Sequence, residues 1–167
     1  MASPARVIEV SVPGESDSKL RGLFRTIDFA DAWQTTLSRP DITPDAAAIA
    51  IFGQSPGWVN ALMKVRGVFA HVVGLKHSEM QSGEQQKGIF RVQQREVNEI
   101  ILGENDKHLD FRISVLRGER DGRPTLTVST VVETHNALGR AYIAVVKPFH
   151  RVIARSMVQR AVNAGRL

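Results

Sequence analysis

The sequence predicts an α+β fold in which one antiparallel sheet packs against N-terminal helices and a long C-terminal helix. Apolar and polar residues alternate along two runs within residues 109–133, which are separated by Asp121-Gly122, a pattern typical of a β-hairpin. From residue 136 to about residue 163 the apolar spacing becomes helical. Residues 1–167 are therefore expected to form a single domain of this class.

The N-terminal part is expected to hold one strand followed by two or three helices. Residues 6–12 alternate like a strand, and Asp28 stands where a helix cap would begin a helix that continues to about Leu37. Thr43-Pro44 combines a capping hydroxyl with a proline at the first helical position and predicts a short helix that ends at Gly53. A longer amphipathic helix is predicted for residues 55–73.

The middle of the chain is expected to return to strands. The polar, glutamine-rich residues 77–87 predict a loop, and residues 88–95 and 99–103 predict two further strands. The hairpin then follows, and Asn136 is the predicted cap of the terminal helix. A proline inside that helix, Pro148, predicts a kink or break just before it.

Composition narrows the classes of protein to which the chain can belong. Hydrophobic residues make up 43% and charged residues 23% of the chain, as in ordinary soluble domains. The sequence contains no apolar run of about 20 residues, so no integral membrane segment is expected. Without cysteine it has no disulfide framework and no cysteine metal site. The N-terminus lacks the pattern of a signal peptide, and we expect a cytoplasmic protein.

The net charge of +5 is concentrated at the C-terminus. From residue 140 onward the chain has no acid and six cations, namely Arg140, Lys147, Arg151, Arg155, Arg160 and Arg166. This basic helix either is a solvated face or contacts phosphate or an acidic membrane surface. Nucleic acid is not an expected partner, because the chain has one tyrosine and its cations are not interleaved with stacking aromatic residues.

The terminal helix is predicted to place an apolar stripe on the sheet. The stripe consists of Val146, Phe149, Ile153 and Met157, and Arg160 falls beside it, where an inward guanidinium needs a carboxylate or an anionic ligand. His150 flanks the stripe next to the proline. It either reaches a pocket or donates to a backbone carbonyl that the proline leaves free.

The polar face of the hairpin is a candidate site for acid–base chemistry. With a two-residue turn, paired residue numbers sum to 243, so His108 faces His135 and Asp110 faces Glu133. Two histidines and two carboxylates have the composition of an acid–base or metal site. Alternatively, Arg112 bridges the two carboxylates on a solvated face. We assign no metal ligand here.

The apolar face of the hairpin is a candidate binding surface. Thr130 and Thr134 lie there among Leu109, Phe111, Ile113, Val128 and Val132. Two hydroxyls in an apolar surface suit either a small-molecule pocket with polar anchors or an ordinary sheet core. The sequence contains no glycine-rich phosphate loop, HExxH, GxSxG or GxGxxG, and no cofactor is expected.

Four segments carry a resemblance to a known family: DFADAW at 28–33, PGWVNALMKVRGVFAHVVGLK at 56–76, LGENDKHLDFRISV at 102–115, and residues 130–161 with the pattern N-x-x-G-R-x-Y…P-F-H-R. The chain resembles the DUF2867 domain-of-unknown-function family, which is similar to the helix-grip (START-like, birch-pollen-allergen-like) superfamily. The resemblance implies a curved sheet and a terminal helix around a cavity for an apolar or amphipathic molecule. It implies no dinucleotide cofactor and transfers no agreed catalytic residues. The matching positions are therefore candidates only, namely His108, Asp110, His135, Asn136, Arg140, Tyr142, His150 and Arg151.

The leading functional hypothesis is a small-molecule-binding domain, and the alternative is a cofactor-independent cyclase, lyase or hydrolase that uses histidine and carboxylate as base and acid. The catalytic candidates are His108, Asp110, Glu133, His135 and His150. The ligand-binding candidates are Phe111, Ile113, Val128, Thr130, Val132, Thr134, Tyr142, Phe149, Ile153, Met157 and Arg160. An interaction module built on the basic helix, with an exposed apolar patch beside it, is a third hypothesis, and homodimerisation is left open.

Overall fold

A computed structural model describes residues 5–53 and 90–167 of the chain. Six antiparallel strands form one sheet, with β1 at Ile8–Glu9, β2 at Phe29–Thr36, β3 at Val92–Arg95, β4 at Glu99–Asn105, β5 at Leu109–Arg120 and β6 at Arg123–Thr134. Their order in the sheet is β1-β2-β6-β5-β4-β3. Helix α1 spans Pro44–Phe52, and the terminal helix, α2, spans Ala137–Asn163. The predicted α+β class is confirmed.

The β5–β6 hairpin is the longest pairing in the sheet, and its turn fixes the register. Asp121 and Gly122 both have positive φ, at 53° and 71°, as a two-residue turn of the primed type requires. Pairing then runs from Arg120 opposite Arg123 to Leu109 opposite Thr134. The predicted turn and register are confirmed.

The helix predicted for residues 28–37 is wrong, because this segment forms strand β2. The strand pairs with β6 over its whole length, from Phe29 opposite Val132 to Thr36 opposite Thr125. The spacing of four between Trp33 and Leu37 is compatible with one face of a helix, but it also places two residues on one face of a strand. Asp28 accepts from the backbone and hydroxyl of Thr134 at 2.6 and 2.8 Å and does not cap a helix.

Other element boundaries differ from the predictions by a few residues. Within the predicted strand 6–12, Ile8–Glu9 pairs with β2, and the strand predicted from residue 99 extends to Asn105. The Thr43 hydroxyl accepts from Ala46 N at 3.2 Å, which confirms the predicted cap of α1. The helix predicted for residues 55–73 and the loop predicted for residues 77–87 lie outside the described residues, as does the start of the strand predicted from residue 88.

Each face of the sheet carries a core, and the two cores differ in size. The inner face packs against both helices, and its cluster includes Trp33, Leu37, Ala47, Ile51, Ile100, Leu102, Ile113, Val115, Leu126, Val128, Met157, Val158 and Ala161. On the outer face, Leu20, Ile101 and Val131 form a smaller buried cluster. The outer face is therefore partly covered by the segment that precedes β2.

Helix α2 faces the sheet with a different stripe from the one predicted. Val146 and Met157 are buried as expected, whereas Phe149 is 62% exposed and Arg160 is exposed. The half-buried His150 and Ile153 complete the inward stripe, at spacings of four, three and four from Val146 to Met157. The placement of Phe149 and Arg160 on the inward face was wrong, by about one residue of helical phase. A kink or a break was predicted before Pro148; the helix continues through this residue, so the break is not observed.

Candidate functional site

Asp31 and His150 form a pair where β2 meets α2. Asp31 lies on the inner face of β2, opposite Thr130 of β6. His150 Nδ1 lies 3.1 Å from Asp31 Oδ2. The carboxylate side chain is fully buried and the imidazole side chain is 23% exposed. The pair thus joins a buried carboxylate to a ring that solvent or a ligand can reach.

Aromatic side chains surround this pair. The Phe29 ring meets the His150 imidazole edge-to-face, with ring centroids 5.3 Å apart at 81°. Trp33 Nε1 donates to Asp31 Oδ2 at 3.4 Å, so both contacts of the carboxylate with described residues use the same oxygen. Lys147 Nζ lies 5.8 Å from the centroid of the Phe29 ring, one turn before His150. The surroundings of the Asp31–His150 pair therefore combine few polar atoms with apolar side chains, as small-molecule sites do.

The second carboxylate oxygen of Asp31, Oδ1, is buried and has no hydrogen-bond partner among the described residues. It is one of five such side-chain atoms there, and the others belong to His108, Arg117, Ser129 and Arg166. A buried polar atom left without a partner costs about 1–3 kcal/mol, more when it is charged. Native structures seldom contain such atoms outside functional sites or water positions. Asp31 Oδ1 is thus an acceptor that a bound group could satisfy.

The contact with Asp31 bears on which imidazole nitrogen carries a proton. With the carboxylate ionised, Asp31 only accepts hydrogen bonds, and the proton in the contact then belongs to His150 Nδ1. In the neutral imidazole Nε2 is then an acceptor. A histidine oriented by a carboxylate in this way is a common general base.

The four polar residues predicted to form one cluster on the outer face of the hairpin make separate contacts. His135 Nε2 lies 3.2 Å from Asp110 Oδ1, while Glu133 accepts from the backbone and hydroxyl of Thr26 at 3.1 and 2.7 Å. Arg112 does not bridge the carboxylates. Its guanidinium donates to the carbonyls of Glu104 and Phe111 and to the Asn105 side chain instead. The described residues contain no group of three or more side chains placed to hold a metal ion.

His108 belongs to the junction between the β4–β5 turn and the start of α2. Its ring contacts the side chain of Asn136, and Asn136 Oδ1 caps the helix by accepting from Gly139 N at 3.0 Å. The His108 carbonyl accepts from His135 N at 2.8 Å. Any side chain at Gly139 would meet that carbonyl. These contacts give the N-x-x-G stretch a structural role.

A model of the family described as "Protein of unknown function (DUF2867)" matches residues 23–157. The chain belongs to this family. The match begins just before β2 and extends through most of α2, so it includes both Asp31 and His150. No curated protein and no solved structure matches the chain.

Within this DUF2867 domain, sequence reasoning found one member of the pair and missed the other. His150 was a candidate, and its contact with Asp31 replaces the alternative in which it bonds a backbone carbonyl. Asp31 was assigned to the first turn of the predicted helix and not to a functional site. The signal that would have found it is the alternation of Phe29, Asp31 and Trp33, which puts a carboxylate on an otherwise apolar strand face.

Most of the predicted ligand-binding residues lie in or beside the inner core. Phe111, Ile113, Val128, Ile153 and Met157 belong to that core or pack against it, Thr130 and Val132 are buried, and Tyr142 is half-buried. The Thr134 hydroxyl donates to Asp28. Of the polar residues predicted to anchor a ligand, Thr130 lies opposite Asp31 in the sheet and His150 contacts it.

The outward side of α2 carries separate features. A shallow groove of about 260 Å³ is lined by Arg155, Ser156, Gln159 and Arg160. Val145, Phe149 and Val152 are 58%, 62% and 67% exposed and form an apolar stripe near the basic residues of the helix. The apolar patch expected for an interaction module is therefore present. No helix of the described part is long and apolar enough to cross a membrane.

Proposed function

We propose that this domain binds an apolar or amphipathic small molecule at the Asp31–His150 pair, between the inner face of the sheet and α2. The observation that carries the proposal is the buried Asp31 Oδ1, which lacks a partner among the described residues beside a partly exposed imidazole. A ligand group that donates to this oxygen offsets the cost of its desolvation.

The fold supports the same placement of the ligand. One long helix lies against an antiparallel sheet, as in the helix-grip superfamily, and the polar pair joins these two layers at β2 and α2. Phe29 and Trp33 supply apolar contact area next to the pair. Burial of a ligand's apolar body there contributes roughly 25 cal/mol per Å², and the polar atoms orient it.

Titration with the fluorescent amine aminoanthracene tests the proposal. We expect emission that saturates at one molecule per chain, and we expect His150→Ala to weaken binding about tenfold, the equivalent of one good hydrogen bond. The matched control is His135→Ala, because His135 also pairs with an aspartate, Asp110, but on the outer face. It should bind like the wild type.

Phe149→Ser distinguishes binding at the proposed site from nonspecific binding to the exposed apolar stripe of α2, because Phe149 is 62% exposed in that stripe. Binding that survives in Phe149→Ser and falls in His150→Ala supports the proposal. Unchanged binding in His150→Ala, or loss in Phe149→Ser, contradicts it.

A cofactor-independent acid–base enzyme is the second candidate, and the same pair favours it. Asp31 holds His150 through Nδ1, and the described residues place no hydrogen-bond partner on Nε2. A histidine that acts as a general base needs an oriented imidazole whose second nitrogen can accept a proton from the substrate. Conversion of a bound compound that His150→Gln stops, while binding persists, would favour catalysis over binding alone.

A further inference from the structure

We infer that the ligand presents a hydrogen-bond donor, a hydroxyl or an ammonium group, to at least one of Asp31 Oδ1 and His150 Nε2, and that the site discriminates against carboxylic acids. This inference rests on the proposed binding function and names the chemical class of its ligand. It follows from the acceptor character of the two available atoms, the charge of the pair and its aromatic surroundings.

Both atoms of the pair that lack a partner among the described residues are acceptors. Oδ2 of Asp31 receives the contacts from His150 Nδ1 and Trp33 Nε1, and Oδ1 receives none from the described residues. A carboxylate has no proton to give, and an imidazole that donates through Nδ1 accepts through Nε2. A ligand with only acceptor atoms would leave both unsatisfied, whereas a hydroxyl satisfies one of them and an ammonium has enough protons for both.

The charge of the pair also favours a donor over an ionised acid. Asp31 has no lysine or arginine partner among the described residues, so with a neutral imidazole the centre carries one negative charge. Like charges a few ångström apart repel strongly where water is excluded. An ionised acid bound at Oδ1 would therefore be disfavoured, and an ammonium would be favoured.

The aromatic residues suit a donor group on an apolar body. Phe29 already has a cation near its ring, since Lys147 Nζ lies 5.8 Å from its centroid. Aromatic faces attract ammonium groups and tolerate alkyl chains equally well. Lys147 is exposed, and an acid could bind to this cation instead of to the pair. A comparison of an acid with an alcohol of the same chain length therefore tests whether the pair itself rejects the acid.

A matched series of octanol, octylammonium and octanoate tests the inference, with Trp33 emission as the readout. Trp33 Nε1 contacts Asp31, so a ligand at Oδ1 changes the surroundings of this indole. The sequence has two tryptophans, and Trp58→Phe leaves Trp33 as the sole tryptophan. Octanol or octylammonium should bind at least about tenfold more tightly than octanoate, since the acid loses a hydrogen bond and meets a like charge.

Asp31→Asn supplies the decisive variant, because its amide offers a donor and removes the charge. The preference for donors over octanoate should shrink to about threefold or less in this variant. Asp110→Asn, the same change on the outer face, should leave the preference intact. Whichever of octanol and octylammonium binds more tightly identifies the donor as neutral or cationic.

The outcomes distinguish a failure of this inference from a failure of the proposed binding function. Octanoate binding equal to that of octanol in the Trp58→Phe protein would overturn the inference and leave small-molecule binding standing. A donor preference that Asp31→Asn does not alter would overturn it as well. No response to any of the three compounds, together with no binding of aminoanthracene, would overturn the proposed function and the inference together.

Discussion

Gly139→Ala is expected to lower the free energy of unfolding by about 3 kcal/mol or more, which is in the range of severe steric substitutions. A Cβ at this position would overlap the carbonyl oxygen of His108 and lie 2.9 Å from its carbon. Both atoms are backbone, and the carbonyl also accepts from His135 N, so neither can rotate aside. Relief requires the start of α2 to move away from the β4–β5 turn.

Urea unfolding, followed by the circular dichroism signal of the helices, measures this loss. The matched control is Gly22→Ala, because a Cβ there meets nothing within 4 Å. We expect the control to change stability by less than about 0.5 kcal/mol. If Gly139→Ala were as stable as the control, the close approach of α2 to the turn would be contradicted.

Glu99→Ala is expected to cost about 3 kcal/mol of stability, because it removes an acceptor shared by three buried or partly buried donors. Glu99 is 3% exposed on the outer face. Its carboxylate accepts from the hydroxyls of Ser18 and Ser114 and from Lys19 N, the last at 3.0 Å. These contacts hold the segment before β2 against the sheet, above the cluster that contains Leu20 and Ile101.

The same unfolding measurement applies, with Glu119→Ala as the control. Glu119 lies on β5 like Ser114 but is exposed, so its removal should change stability by less than about 0.5 kcal/mol. Limited proteolysis gives a second readout, because cleavage after Lys19 should accelerate in Glu99→Ala. Equal stability of the two variants would show that the Ser18–Glu99 contact does not hold the segment.

The elements that sequence reasoning predicted well depend on local chemistry. The Asp121-Gly122 turn, with positive φ at both residues, fixes the hairpin and every pairing along it. The Thr43 and Asn136 side chains cap their helices through bonds to backbone three residues away. Each of these signals needs only a few neighbouring residues.

The errors arose where distant contacts decide the structure. Residues 29–36 are a strand because β6 offers a partner along their whole length, and no local signal in that segment outweighs this pairing. The observed phase of α2 brings His150 to Asp31, which lies 119 residues away in sequence. Spacing alone does not choose between Phe149 and His150 as the inward residue. The Asp31–His150 site needed both elements to be correct.

The most direct test of the binding site is the imidazole proton–nitrogen correlation spectrum of the nitrogen-labelled protein, recorded with and without aminoanthracene. The proposed site predicts a proton on His150 Nδ1, a hydrogen-free Nε2, and a shift of the Nε2 signal as aminoanthracene saturates. The signals of His135, assigned with His135→Ala, should not move. Saturable binding that leaves both nitrogens of His150 unchanged would contradict a ligand site at this pair.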